Sequence, residues 1–210
     1  MRLGRRLPRA FFARASTVVA PDLLGRILVR RLADGTRLAV RLVEVEAYHE
    51  DDPASHSFRG PTPRNAVMFG PAGCLYVYFS YGVHWCANVV TGSEGLGSAV
   101  LLRAGEPLEG LDAMAANRGV EDVRRLCAGP GRLTQALAIT GADDGADVVR
   151  GGSISVHEGV AVPRRRIDRT TRVGIRVGVE ARWRYLERGS PFVSPGRPSL
   201  PRAEPTLRRG

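Results

Sequence analysis

The order of apolar and polar positions in the first quarter of the chain predicts a β-hairpin. A short helix over residues 20–26 leads into a partly apolar strand, Ile27–Leu32. Asp34 and Gly35 mark a tight turn, because both residue types tolerate a positive φ. The returning strand is expected to run from Arg37 to about Tyr48.

Side chains on this returning strand alternate between two faces. Glu44, Glu46 and Tyr48 share one face, and the apolar residues at positions 43, 45 and 47 share the other. We therefore expect one face to pack in the core and the other to carry two carboxylates and a phenol. The solvated outer face of an edge strand is the competing interpretation of the Glu-x-Glu pattern.

A second hairpin is predicted between Cys74 and Val89. Its period of two places Tyr76 and Tyr78 on one face. With a three-residue loop these two rings lie opposite Asn88 and Cys86, whereas a two-residue loop would invert that parity. The loop length therefore decides what faces the two tyrosines.

The second half of the chain predicts further elements of one domain. A strand over residues 99–104 carries Arg103, and the break at Gly129–Gly131 precedes an apolar helical stretch over residues 132–139. The segment 195–210 is rich in Pro and Arg, which is typical of a disordered tail. No internal repeat interrupts this pattern.

Charge narrows the possible partners. The 210 residues contain 31 Lys+Arg against 21 Asp+Glu, a net charge of +10 with a pI near 10.8. This excess favours a polyanion, either nucleic acid or an acidic membrane surface, and composition does not choose between them. No apolar run approaches the roughly 20 residues that a membrane span needs. The run Arg164–Arg166 is either a phosphate-facing patch or a solvated loop.

All of the basic residues are Arg, and the sequence contains no Lys. A mechanism that needs a Lys amine, such as a Schiff-base lyase, therefore loses its usual nucleophile. Three cysteines, Cys74, Cys86 and Cys127, fit neither a CxxC spacing nor a disulfide framework. We expect reduced core thiols in a cytoplasmic protein. The basic start of the chain lacks the pattern of a signal peptide, so it is interpreted as mature sequence.

Few residues offer catalytic chemistry. A carboxylate such as Glu46, near aromatic rings in a partly desolvated cleft with an Arg beside it, can act as a general base on water. His49, Glu50 and His56 lack the HExxH spacing, so no metal is expected there. A metal-dependent hydrolase that uses His49 and His56 is kept as a minor alternative. Gly92–Gly97 matches no dinucleotide or P-loop fingerprint, and no GxSxG elbow occurs.

Tyr81 is expected at the tip of the second hairpin, where its ring has no core to enter. A tip aromatic on a positive chain suits a wedge that enters a duplex and fills the gap left by a rotated-out base. Contact with another kind of partner is the competing interpretation.

A series of short blocks gives a more specific indication. The blocks are, in order, Val43–Tyr48, Thr62–Asn65, Met68–Phe69, Leu75–Tyr78, Tyr81–Gly82, Asn88, Val100–Ala104, Glu106–Gly110, Cys127–Pro130 and Arg188–Pro191. Together they resemble the alkyladenine (3-methyladenine) DNA glycosylase family. The resemblance covers about Phe11 to Ser194, so we expect a glycosylase domain over residues 1–194 and a disordered tail over 195–210. It implies an α+β fold, a single mixed domain with a curved, largely antiparallel sheet, flanking helices and a protruding β-hairpin.

The resemblance also implies roles for individual residues. Glu46 is similar to the base that activates water, and Arg103 to its partner at the water and the phosphate. Val173 resembles the position whose main-chain carbonyl also holds that water. The remaining implied roles are base-pocket walls for Tyr48, His56 and Tyr78, exclusion of the guanine 2-amino group for Asn88, a minor-groove wedge for Tyr81, and DNA-backbone contacts for Thr62 and Arg64.

The activity implied by the resemblance is monofunctional hydrolysis of the N-glycosidic bond of alkylated or deaminated purines flipped out of double-stranded DNA. An abasic site is the expected product, because no Lys is present for a lyase step. We expect no cofactor, no metal and no membrane partner. A monomer in the cytoplasm, at the nucleoid in a bacterium, suits an enzyme that scans DNA. The alternative is a damage-sensing DNA-binding protein without turnover, and the retained Glu46 argues against it.

Overall fold

The computed structural model describes residues 1–80 and 82–200, which form short helices around one sheet. The strands are β1 (Ile27–Arg31), β2 (Arg37–Tyr48), β3 (Leu75–Ser80), β4 (His84–Val90), β5 (Ala99–Glu109), β6 (Ile154–His157), β7 (Ile167–Thr170) and β8 (Arg184–Glu187). The helices are α1 (Arg9–Phe12), α2 (Ser16–Leu23), α3 (Leu111–Arg118), α4 (Val123–Leu126) and α5 (Pro130–Ala136).

The sheet branches at its longest strand. Its main path runs β3-β4-β5-β2-β1-β6, with antiparallel pairing throughout. β2 pairs with β1 over residues 37–41 and with β8 over residues 44–46, and β8 pairs with β7. The register between β2 and β5 shifts near residues 42–45, which bends the strand where its partner changes. The expected α+β fold with a curved, largely antiparallel sheet is confirmed.

One large apolar cluster fills the space between the sheet and the helices. α2 packs against β2, and α5 packs against β4 and β5. The cluster includes buried residues from both, such as Leu23 and Leu133, together with Val45 and Ala47 of β2. The apolar face predicted for β2 therefore lies in the core. No helix among the described residues has the length and hydropathy to cross a membrane.

Both hairpins have the predicted pairing. Arg31 lies opposite Arg37, and Gly35 in the turn has a φ of +87°. In the second hairpin Ser80 lies opposite His84, so its loop has three residues. The parity predicted for that case follows, with Tyr78 opposite Cys86 and Tyr76 opposite Asn88.

The bounds of two helices differ from the sequence predictions. α2 begins at Ser16 and ends at Leu23, and does not run over residues 20–26 as predicted. Asp22 lies near its end and so does not mark its start. The carboxylate of Asp22 instead binds Arg14 at 2.9 Å and Arg164 at 2.6 Å. α5 begins at Pro130 and ends at Ala136, earlier than residue 139. It cannot continue through Ala138, whose φ is +50°.

Three smaller expectations also have an outcome. The cysteines are free, and two of the three are buried. In the run Arg164–Arg166 the first and last side chains pair within the protein, with Asp22 and Glu187. Residues 198 and 199, in the segment expected to be a disordered tail, pair with or hydrogen-bond to residues 171–173 and 175. The disorder expected for residues 201–210 stays a prediction, because that segment lies outside the described residues.

Candidate active site

A cavity of about 640 Å³ opens between the β3–β4 hairpin and two loops. Its volume lies within the range of small-molecule sites. One loop contributes residues 53–56, and the other contributes residues 173–177. The residues that line the cavity include Tyr48, His56, Arg64, Tyr76, Tyr78, His84, Cys86, Asn88, Leu101, Arg103 and Val173.

Three rings form an aromatic wall of this cavity. Tyr76 and Tyr78 are stacked, with ring centroids 5.4 Å apart and planes inclined by 25°. His56 meets Tyr78 edge-on, with ring centroids at 4.5 Å. Burial raises the pKa of Tyr76 to about 12 and raises that of Tyr78 further, so both hydroxyls stay protonated at neutral pH. The wall can stack on a flat ligand and donate hydrogen bonds to it.

His56 contacts one residue of the aromatic wall, and a nearby positive charge disfavours its protonated form. Its Nδ1 lies 3.0 Å from the hydroxyl of Tyr76. The ring is exposed at the cavity rim, yet the protein around it, followed by the positive charge of Arg64, lowers the pKa of His56 below its ordinary value of 6.5. The imidazole is therefore neutral at pH 7, with one ring nitrogen able to accept a hydrogen bond and the other able to donate one.

Glu46 lies beneath this wall, and its side chain is 0% exposed. Its Oε2 accepts hydrogen bonds from the Tyr48 hydroxyl at 2.9 Å and from Nη1 of Arg103 at 3.3 Å. Its Oε1 accepts one from the backbone amide of Val173 at 2.8 Å. The alternative of a solvated outer face for Glu44 and Glu46 is wrong, because the segments that carry Val173, Arg184 and other polar partners cover it.

Arg103 is fixed by a second buried carboxylate. Its Nε donates to Glu44 at 2.8 Å, and Nη2 lies 3.5 Å from the Ser194 hydroxyl. Glu44 also accepts hydrogen bonds from Nε of Arg184 and from both the amide and the hydroxyl of Ser194. Burial would raise the pKa of Glu44, but Arg103 and Arg184 outweigh it and lower that pKa. The guanidinium of Arg103 is thereby oriented with Nη1 toward Glu46.

The loop that carries Val173 is held by the end of the described chain. The amide of Ser199 donates to the carbonyl of Arg172 at 2.8 Å, and the Ser199 hydroxyl accepts from the amide of Ile175 at 3.2 Å. Gly196 packs so closely that a Cβ there would lie 2.8 Å from Val173. The geometry brings the amide of Val173 to Glu46, whereas the predicted role of its carbonyl stays a prediction.

Asn88 and Cys86 lie on β4 opposite the stacked tyrosines. Asn88 is buried, and its Nδ2 donates to the carbonyl of Tyr76 at 3.1 Å. That bond fixes the side chain against the cavity, as the predicted role in excluding an amino group would require. The role itself stays a prediction.

The predicted DNA contacts lie at the cavity rim. Arg64 lines both the main cavity and a smaller cleft of about 260 Å³, and its Nη2 donates to the carbonyl of Phe79 at 3.3 Å. Thr62 lines the cleft and binds Asn65. Tyr81, the predicted wedge, lies outside the described residues. Val83, two positions on, is 74% exposed at the end of the same hairpin.

The histidines considered for a metal site each contact another side chain. His49, which is half-buried, lies 3.2 Å from the exposed Asp51, and His56 contacts Tyr76. Across residues 1–80 and 82–200, no group of three His, Cys, Asp or Glu side chains could hold a metal ion.

Several residues in and around the site were missed from the sequence. Tyr76 could have been found, because the period of two places it beside Tyr78. Cys86 could have been found from the hairpin parity. The alternation along the strand placed Glu44 beside Glu46, but its pairing with Arg103 had no local signal. Arg184 and Arg172 had none either, since each acts through partners more than 50 positions away.

A family model described as "Methylpurine-DNA glycosylase (MPG)" matches residues 10–191. The chain belongs to the methylpurine-DNA glycosylase family. This match confirms the resemblance inferred from the sequence blocks. It also confirms the enzyme class, which is a DNA glycosylase that acts in DNA repair.

Relatives extend over nearly the whole chain. A protein of Rhodopseudomonas palustris is 51% identical over 92% of this chain and 93% of its own length. One of Burkholderia lata is 52% identical over 91% and 92%, and one of Methanoculleus marisnigri is 51% identical over 90% and 98%. Each carries the name "Putative 3-methyladenine DNA glycosylase".

Proposed function

We propose that this glycosylase removes alkylated or deaminated purines from double-stranded DNA by hydrolysis, with Glu46 as the general base. The observation that carries the proposal is the buried carboxylate of Glu46, which contacts Tyr48, Arg103 and Val173 directly behind a ring-walled cavity. A flipped purine in the cavity would place its sugar next to this carboxylate.

In the proposed reaction the bond between C1′ and the purine nitrogen breaks, and its electron pair leaves with the base. A water oxygen forms the new bond to C1′ and loses a proton to Glu46. Oε2 already accepts hydrogen bonds from Tyr48 and Arg103, whereas Oε1 accepts one from the amide of Val173, and a carboxylate oxygen can accept two. We therefore assign the water proton to Oε1. The carboxylate also stabilises the positive character that develops on the sugar.

Arg103 has a different part in this mechanism. Its guanidinium lines the cavity and neutralises the buried charge of Glu46. Because Nε is engaged by Glu44, the outer edge of the guanidinium is directed at Glu46 and the cavity. From there it can hold the attacking water and the phosphate of the flipped nucleotide.

Selection of the base would come from the cavity walls and from flipping. Rings such as Tyr78 and Tyr48 attract a cationic alkylated purine by about 0.5 to 2 kcal/mol. Neutral His56 can hydrogen-bond a purine edge, and the fixed amide of Asn88 would crowd the 2-amino group of guanine. A damaged or mispaired base also costs less of the few kcal/mol needed to leave the stack.

The product would be an abasic site in an intact strand, since the chain has no Lys to form a Schiff base. The net charge of +10 suits a DNA partner, with Thr62 and Arg64 on the backbone and Tyr81 as the wedge. We place the enzyme in the cytoplasm as a monomer. A damage-sensing protein without turnover is the second candidate, and the intact set of contacts around Glu46 disfavours it.

A panel of duplexes tests the proposal. Each duplex holds one modified purine, and free base is measured at two salt concentrations, with strand breaks scored before and after alkali. We expect base release from at least one lesion, weaker binding at the higher salt, and breaks only after alkali. Binding to lesions without any base release would favour the damage-sensing protein, and covalent trapping by borohydride would refute the monofunctional assignment.

A further inference from the structure

A fully buried cation lies outside the cavity, against the residues that contact Glu46. Arg172 is 0% exposed and forms a two-pronged ion pair with Asp52, with Nη2 at 2.9 Å from Oδ1 and Nη1 on Oδ2. Nη1 also donates to the carbonyl of Ala47 at 3.2 Å, and Nη2 to that of Gly178 at 3.1 Å. One guanidinium therefore joins β2, the loop after it and the loop that carries Val173.

The same guanidinium is packed between two rings. Its central carbon lies 4.6 Å from the ring centroid of Tyr48 and 5.3 Å from that of Trp183. Tyr48 lines the cavity and donates its hydroxyl to Glu46. Arg172 does not line the cavity, so it supports Tyr48 from behind. The position of the Tyr48 hydroxyl depends on this packing.

Arg172 is also linked, through the main chain, to the other carboxylate oxygen of Glu46. Val173 follows Arg172 directly in the chain, and its amide donates to Oε1 of Glu46. Because the side chain of Arg172 is tied to Asp52 and to Ala47, the peptide that bears this amide has little freedom. Both oxygens of Glu46 thus receive a donor whose position Arg172 sets.

Arg suits this place for a chemical reason. A planar guanidinium offers five donors in a fixed fork and stacks on aromatic faces, whereas the ammonium of Lys is a point charge. Burying an ion pair adds little to the free energy of unfolding, so stability alone does not account for a buried Arg at this position. The contacts of Arg172 converge on the surroundings of one carboxylate.

We propose that Arg172, held by Asp52, is a positioning residue for Glu46, acting through the hydroxyl of Tyr48 and the amide of Val173. The proposal rests on the proposed function of Glu46. A general base that is misplaced by about 1 Å can lose about 100-fold in rate. Loss of Arg172 should therefore slow base release without weakening the binding of DNA.

The test compares Arg172→Met and Asp52→Asn with the wild type on a lesion that the wild type releases. Single-turnover release and affinity for a duplex with an abasic-site analogue are measured below the unfolding temperature of each variant. We expect release to fall by about 10- to 100-fold and affinity to stay within about threefold. The matched control is Arg41→Met, which removes the ion pair between Arg41 and Glu187 away from the cavity and should leave the rate unchanged.

A double-mutant cycle separates positioning from a general loss of structure. If Arg172 acts partly through Tyr48, Arg172→Met should cost at least about threefold less in a Tyr48→Phe background than in the wild type. An equal cost in both backgrounds, or wild-type release by Arg172→Met and Asp52→Asn, would overturn the proposal. If Arg172→Met fails to fold, Asp52→Asn is carried through the same cycle. Absence of release by the wild type would instead refute the proposed function.

Discussion

Replacement of Glu44 by Gln should destabilise the protein strongly. The carboxylate of Glu44 is fully buried and accepts hydrogen bonds from Arg103, Arg184 and Ser194, all at 2.6 to 2.8 Å. The Gln variant keeps the shape of the side chain but removes its charge and turns one acceptor into a donor. Arg184 then loses its partner in this cluster and stays buried as a cation.

The expected magnitude follows from this burial. Breaking a buried ion pair by removing one partner costs about 3 to 5 kcal/mol of the free energy of unfolding. For a domain of this size each kcal/mol shifts Tm by about 2 to 4 °C, so a fall of roughly 6 to 20 °C is expected. Because the folded protein lowers the pKa of Glu44 below 4.5, this stabilisation is present above pH 4.5 and is lost as the pH falls further.

Urea unfolding at pH 7 and pH 4 measures the effect. The difference between wild type and Glu44→Gln should be large at pH 7 and smaller at pH 4. Glu158→Gln is the control, because the partner of Glu158, Arg5, has a side chain that is 89% exposed, and we expect no measurable change. A loss below about 1 kcal/mol at pH 7 for Glu44→Gln would refute the reasoning.

Two further predictions concern the loop of Val173 and the aromatic wall. Truncation after residue 200 should leave the rate of single-turnover base release unchanged. Truncation after Ser194 removes the hydrogen bonds of Ser199 and should slow base release by about tenfold. A single-turnover rate assay on both truncated proteins tests this. Because folding lowers the pKa of His56 below 6.5, the free energy of unfolding should fall as the pH drops from 7.5 to 5.5. His56→Gln should show a flatter dependence in urea unfolding, and an unchanged slope would contradict the assignment.

Local patterns predicted the two hairpins and the strand that carries Glu46 well. The turn at Asp34 and Gly35 and the alternation up to Tyr48 depend on residues that are neighbours in the chain, so the sequence contains the information directly. The three-residue loop of the second hairpin then sets which residues face Tyr76 and Tyr78. The resemblance to a family added roles that no pattern of this kind supplies.

The surroundings of Glu46 could not be predicted in the same way. A Glu-x-Glu pattern on a strand is compatible with a solvent-exposed face. Here that face is buried by segments that carry Val173 and Arg184, more than 120 positions away in the chain. Asp22 shows the same limit, because its long-range ion pair with Arg164 replaces the helix start that its local sequence suggests. Long-range partners of charged groups decide both cases.

The central claim, that Glu46 takes the proton of the attacking water, is tested most directly by Glu46→Gln. The measurement is single-turnover base release from a duplex with one lesion, together with affinity for an abasic-site analogue. We expect release to fall by about 10²- to 10⁴-fold while affinity stays within about threefold. Glu106→Gln, on β5 outside the cavity, should keep the wild-type rate. Release by Glu46→Gln at the wild-type rate would contradict the account.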